Sequence, residues 1–338
     1  MNDMKQNLHT HTTYCDGKNT VSEMIRSALH KDFDVLGFSG HSFTYYDKSY
    51  CMPENGIPEY IREISAAAQF FEKDPELAAN FYAYDMDYRK PLRIYLGIEQ
   101  DLYHDYKLTL RKPDGIFNPG TPDGVYDYVI GSTHAFRLTW DELEERRGSV
   151  KGFRDPFMPG VEESDDGVYI YVDYGTEPFK WAADEIYHGD YMGIVRDYFK
   201  EEARIVAETD CDIVGHFDLL LKFNEKERFF DESSYQYKTA RDRALEQIFR
   251  DFRSKGRAPV FEINTGAMAR GYRSVPYPSP ETLRLIREMG GQIVINSDCH
   301  KAELLDYGFG EAVDEAKNAG FREALFVVPE GRAELMEI

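Results

Sequence analysis

Short strand-like runs, most of them rich in apolar residues, alternate along the chain with stretches in which apolar residues recur every three or four positions. The runs at residues 5–9, 33–39, 91–99, 126–132, 211–216, 258–264 and 292–296 read as buried strands. Helices fill the gaps. Thr20 to Glu23 forms a capping box ahead of Val21, Met24, Ile25, Ala28 and Leu29 at helical spacing. Ile61, Ile64, Ala68 and Phe71 share one face of a helix over about 58–73. Thr139 and Glu142 mark another capped start, and a helical face runs over 191–208. A long helix is predicted over 234–255, a Pro-initiated one from Ser279-Pro280-Glu281, and a last one over 309–319. A final apolar run, 324–328, is a weaker eighth strand.

Regular alternation of strand and helix implies a parallel sheet covered by helices. No linker or shift of composition divides the elements, so residues 1–338 are expected to form one α/β domain. Two Tyr-rich stretches, at about 43–91 and 148–190, interrupt the alternation and read as insertions. Residues 168–172 suit a small strand of an inserted flap. A β/α barrel fits better than an open doubly wound sheet. A barrel brings the C-terminal ends of all its strands to one mouth, whereas the open sheet places its site at one switch point.

Composition changes this picture only a little. The chain has 338 residues, 42% of them hydrophobic, enough for a large core. Its formal net charge of −21 disfavours a nucleic-acid backbone as partner. Cys15, Cys51, Cys211 and Cys299 are widely spaced without a C-x-x-C pair, which favours free thiols in a cytoplasmic protein. No apolar run approaches the ~20 residues of a membrane span, and a signal-peptide core is not evident. The pattern sets no oligomeric state.

The chemistry lies at the strand ends. His9 and His11 are two apart, so on a strand they point to the same side, and imidazoles so placed can share a divalent metal. Taken alone the pair suits a surface strand equally well. However, Asp16 follows closely, His41 follows the second strand, Glu99 ends the third and His134 follows the fourth. His216 follows the fifth strand, and Asp298 and His300 follow the seventh. Nine side chains able to ligate hard or borderline cations at the ends of successive strands are hard to explain as coincidence.

The motifs His9-Thr10-His11, Gly40-His41-Ser42, Gly97-Ile98-Glu99, Gly131-Ser132-Thr133-His134, Gly215-His216-Phe217-Asp218 and Ser297-Asp298-Cys299-His300 resemble the polymerase-and-histidinol-phosphatase (PHP) superfamily. The stretches Glu262 to Arg270, Tyr277 to Ser279 and Tyr307 to Ala312 resemble its histidinol-phosphate phosphatase branch. The resemblance implies a distorted (β/α)7 barrel with three divalent metals, Zn, Mn or Fe. His9, His11, Glu99 and Asp298 would hold the first. Glu99, His134 and His216 would hold the second, and Asp16, His41 and His300 the third. A hydroxide bridging the first two would attack the phosphorus of a small-molecule phosphate ester, most specifically L-histidinol phosphate in histidine biosynthesis. Other small phosphates, such as a nucleotide or sugar phosphate, and a non-catalytic metal-binding barrel are the alternatives. Arg270 is the candidate phosphate clamp, with Lys222 and Asn264 as weaker phosphate contacts. Asp218 could protonate the leaving alkoxide or orient His216. Cys299 is expected to pack behind the site.

Overall fold

The computed structural model describes residues 4–46, 48–85, 90–103, 111–147 and 159–338. Seven parallel strands form the central sheet: β1 (Gln6–Asn7), β2 (Val35–Phe38), β3 (Arg93–Asp101), β4 (Tyr128–Ser132), β8 (Ile213–Val214), β9 (Val260–Asn264) and β10 (Gln292–Asn296). They lie in chain order around a nearly closed barrel. These are the seven strong apolar runs of the sequence.

Closure between the first and last strands uses side chains as well as backbone. The Leu8 N–H donates to Asn296 Oδ1 at 2.9 Å and Asn7 Nδ2 donates to Ser297 Oγ at 2.6 Å. Beyond the strand ends, the His11 N–H donates to the Cys299 carbonyl at 3.0 Å. These contacts bring the loop that carries His9 and His11 against the one that carries Asp298 and His300.

Strand alternation sorts the side chains. Leu96 and Ile98 of β3, and Phe261 and Ile263 of β9, pack outward under the helices. Tyr128, Ile130, Val260 and Val294 fill the barrel interior with Leu8 and Ile213. Each such buried side chain contributes about 1.5–3 kcal/mol. Glycine is required at Gly97, because a Cβ there would lie 2.3 Å from the Tyr128 ring. That ring crosses the interior to donate its hydroxyl to the Leu8 carbonyl at 2.5 Å.

Two helices match their predicted caps, and a third carries a cap that the sequence reading did not name. Val21–His30 carries the Thr20–Glu23 capping box. Trp140–Arg147 starts with reciprocal Thr139–Glu142 bonds, and Tyr235–Ser254 is capped by Ser234. The helix expected over 191–208 is instead two, Tyr191–Glu202 and Ile205–Thr209, with a turn at Ala203-Arg204. A helical periodicity survives a one-turn break, so the apolar pattern does not reveal it.

The Tyr-rich stretches add their own structure. The first holds helices Ile57–Lys73 and Pro75–Tyr82; its residues 47 and 86–89 lie outside the described residues. The second contributes β6 (Val161–Ser164) and β7 (Gly167–Tyr171), which join β5 (Ala135–Thr139), just ahead of the stretch, in an antiparallel sheet of order β5-β7-β6. Residues 148–158 lie outside the description. The strand expected at 168–172 is β7. The weaker eighth run, β11 (Glu323–Val327), does not join the barrel. It pairs antiparallel with β12 (Ala333–Glu337) and is tied to the barrel by Gln6, which bonds the Leu325 carbonyl and the Val327 N–H. No helix among the described residues is long and apolar enough to cross a membrane.

Candidate metal centre

All nine side chains singled out at strand ends meet at the C-terminal mouth of the barrel, around Glu99. This carboxylate is 1% exposed and divides its oxygens between two sides. Oε1 lies 3.1 Å from His216 Nε2 and 3.4 Å from His134 Nε2. Oε2 lies 3.2 Å from His9 Nε2, 3.4 Å from His11 Nε2 and 3.0 Å from His41 Nδ1. Asp298 approaches from β10, its Oδ1 3.2 Å from His11 Nε2 and 3.8 Å from His9 Nε2. Its backbone takes φ +47, a left-handed conformation that aspartate tolerates better than most residues. Next to this group, His300 Nε2 lies 3.1 Å from Asp16 Oδ2, and His41 Nε2 is 3.9 Å from Asp16 Oδ1.

His216 and Asp298 aside, the donors fall, together with Asp101, into three overlapping groups within metal-ligating reach of one another. They are His9, His11 and Glu99; His11, Asp16, His41 and His300; and His41, Glu99, Asp101 and His134. The expected third set, Asp16, His41 and His300, is thus together, joined by His11. Asp101 was not expected. It sits two residues beyond Glu99, and so on the same face of β3, with Oδ1 3.3 Å from His41 Nδ1 and 3.4 Å from His134 Nε2.

The electrostatics suit a cation site. Burial opposes charge on Glu99 and Asp298, but surrounding cationic groups outweigh it and hold both well below the usual carboxylate range. For Glu99 these are chiefly His41 and His9; for Asp298, Arg270 and His9. Burial, with His300 and His41 nearby, lowers His11 to about 3, so it is neutral and free to offer a lone pair to a cation. Burial also opposes charge on His9, His41 and His134, yet their carboxylate neighbours raise all three, His134 to about 10.

The donor set fits divalent metal. His9 Nε2, His11 Nε2, Asp16 Oδ1, Glu99 Oε2 and Asp101 Oδ2 are all buried without a hydrogen-bond partner among the described residues. Leaving one such group unsatisfied costs about 1–3 kcal/mol. Nitrogen and oxygen atoms converging from His, Asp and Glu satisfy Zn, Mn or Fe. Two further carboxylates hold the imidazoles from behind. Glu262 on β9 accepts from His9 Nδ1 at 2.9 Å, and Asp173 lies 3.3 Å from His134 Nδ1. A charged residue inside the apolar β9 run was the signal for Glu262.

A cavity of about 610 Å³ opens onto this cluster, with Arg270, Lys222, Tyr50, Tyr171 and Asp173 on its walls. Arg270 Nη2 is 3.1 Å from Asp298 Oδ2, and its Nη1 is 3.1 Å from His300 Nδ1. Lys222 Nζ donates to the Asp173 carbonyl at 2.8 Å. Asn264 and Asp218 are placed elsewhere. Asn264 is buried, donating to Glu262 and accepting from the Gly266 N–H. Asp218 is buried with Oδ2 on the Ser279 N–H at 2.8 Å; burial raises its pKa although Arg273 opposes the shift. Cys299 is 2% exposed, and burial pushes its thiol up to about 12.

Comparison with known proteins agrees with this geometry. Residues 7–266 match the PHP domain family. A Deinococcus radiodurans protein named probable histidinol-phosphatase is 27% identical over 323 residues, 94% of this chain and 95% of that one. A solved Lactococcus lactis histidinol phosphate phosphatase, complexed with Zn, L-histidinol and phosphate, shares the fold at a TM-score of 0.54 and 16% identity, covering 98% of both chains. A solved Listeria monocytogenes chain, named as a candidate histidinol phosphatase, gives a TM-score of 0.60 at 17% identity, covering 91% of this chain and 99% of that one. The chain therefore belongs to the PHP domain family of metal-dependent phosphoesterases and within it resembles the histidinol-phosphatases.

Proposed function

We propose that this protein is a phosphomonoesterase that hydrolyses L-histidinol phosphate to L-histidinol and phosphate, as a step of histidine biosynthesis. The observation that carries the reading is Glu99, fully buried, with five imidazole nitrogens divided between its two oxygens. The near full-length likeness to a probable histidinol-phosphatase, and the L-histidinol and phosphate in the Lactococcus lactis complex, support the substrate. On this reading residues 1–338 are one barrel domain with two Tyr-rich insertions.

Three divalent ions are proposed. His9, His11, Glu99 and Asp298 would hold one; Glu99, His134 and His216 a second; Asp16, His41 and His300 a third. Such ions supply an acidified water as nucleophile at neutral pH and positive charge for the phosphoryl oxygens. The rest falls to the chain. Glu262 fixes the ring of His9. Arg270, held at the cavity wall by Asp298, offers a guanidinium to a phosphate oxygen and offsets charge as the P–O bond breaks. Lys222, also on the cavity wall, adds a second cationic group. Asp218, clamped on the Ser279 amide, braces the loop after β8 and so the placement of His216.

The test is free phosphate released from L-histidinol phosphate against a panel of nucleotide and sugar phosphates. The reading expects kcat/KM for histidinol phosphate to exceed every panel member. A preferred nucleotide or sugar phosphate would replace the substrate but keep the phosphatase, and no release from any would contradict both.

A further inference from the structure

We infer that Asp173 is a positioning residue for His134, and that the inserted sheet β5–β7 serves the metal centre by holding this carboxylate against it. The inference rests on the metal reading of the Glu99 site. β5 begins at the residue after His134, and its register with β7 pairs Ala135 with Tyr171. The ladder continues one step further, the Val172 N–H donating to the His134 carbonyl at 2.9 Å. The next residue is Asp173. The insertion is therefore registered on the ligand itself, so that a slip of one residue would turn Asp173 to the other face.

The side-chain geometry agrees. His134 is held at both ring nitrogens, Nδ1 3.3 Å from Asp173 Oδ2 and Nε2 3.4 Å from Glu99 Oε1. A carboxylate that accepts from Nδ1–H fixes the tautomer that leaves the Nε2 lone pair for an ion, and fixes the plane of the ring. Its partner at Glu99 Oε1 has no such support among the described residues, where His216 Nδ1 is buried without a hydrogen-bond partner. Asp173 is itself held on the far side. Lys222 Nζ bonds its carbonyl at 2.8 Å, approaches its Oδ2 at 3.4 Å and lies 5.2 Å from the centre of the Tyr272 ring. The carboxylate thus connects a cavity-wall cation to a ligand, and the Tyr-rich insertion becomes part of the centre.

The test is zinc affinity by competition with a chromophoric chelator, on wild type, Asp173→Ala, Asp173→Asn and Lys222→Met, together with the melting temperature of each metal-free protein. Asp173→Ala is expected to weaken one zinc per chain by about 10–100-fold, leaving the others and the metal-free melting temperature near wild type. Asp173→Asn, which keeps an acceptor oxygen for Nδ1–H, is expected to restore most of the affinity, and Lys222→Met, which removes only a support of Asp173, to weaken it less than Asp173→Ala does. Wild-type affinity in Asp173→Ala would overturn the inference. So would parallel weakening of every zinc with a lowered metal-free melting temperature, which marks a structural role. Weakening by Lys222→Met equal to that by Asp173→Ala would likewise overturn it, by assigning the effect to the salt bridge. Failure of the wild type to bind zinc at all would instead contradict the metal reading beneath it.

Discussion

Glu262→Gln is nearly isosteric, yet the structure predicts a large effect on metal. Glu262 is fully buried and meets only donors. Oε1 accepts from the His216 N–H at 2.8 Å and from Asn264 Nδ2 at 2.7 Å. Oε2 accepts from His9 Nδ1 at 2.9 Å and from Asn296 Nδ2 at 3.0 Å. A glutamine must turn its NH2 toward one of these pairs. On the Oε1 side it would confront a backbone N–H that cannot change. On the Oε2 side, Asn296 is fixed by its bond from the Leu8 N–H, but His9 can give up the proton on Nδ1. The proton then resides on Nε2, the atom that faces Glu99 and Asp298 and would ligate metal. Losing an orienting partner of this kind weakens metal by about 10–100-fold, or about 1.4–2.7 kcal/mol. The loss of a hydrogen bond to a charged acceptor costs the fold about 1.5–3 kcal/mol more. Chelator competition measures the first quantity and denaturant unfolding the second, while 15N shifts of the His9 ring in the zinc-loaded protein report the tautomer. Unchanged zinc affinity with the proton still on Nδ1 would refute the reasoning.

Other expectations follow from the same contacts. Arg270→Ala should lower kcat/KM for the phosphate ester by roughly 10–150-fold, the worth of one charge-assisted bond at about 1.5–3 kcal/mol, and unchanged kinetics would remove Arg270 from the site. Zinc uptake at pH 7 should release protons, one each from His9, His41 and His134, because all three are held charged in the metal-free protein and must be neutral to ligate. Calorimetry in buffers of different ionisation enthalpy checks this, and a heat independent of buffer would contradict it. Burial raises Glu202 well above its ordinary range, with Asp218 adding to the shift. The folded state then holds that proton more tightly than the unfolded one, so its stabilising effect is greatest in acid and is lost as pH rises toward the raised pKa. Glu202→Gln should therefore gain stability over wild type progressively from pH 5 to 8, and a difference independent of pH would refute the assignment.

The barrel was legible because its strands are buried on both faces and read as continuous apolar runs. The nine donors were legible because each stands where such a run ends, and the barrel brings those ends together. What escaped reading depends on long-range pairing. Asp101 lies two residues past the 91–99 run, and nothing local shows that His41 and His134 flank it. Asp173 lies in a Tyr-rich insertion and reaches His134 only through the β5–β7 register. Asp218 and Asn264 illustrate the converse. Both sit near motif residues in the chain, but the Ser279 and Gly266 amides draw their carbonyl or carboxylate oxygens into the loops. Proximity in sequence to a ligand therefore gave their position but not their direction.

The central claim is that these side chains hold divalent ions which make the protein a histidinol-phosphate phosphatase. The most direct measurement is metal content and L-histidinol phosphate turnover on one sample, before and after chelation and again after zinc, manganese or iron is restored. The account predicts bound divalent metal, turnover that falls with its removal and returns with its restoration, and loss of both in Glu99→Ala. Turnover that persists in metal-free protein, or full metal content and activity in Glu99→Ala, would contradict it.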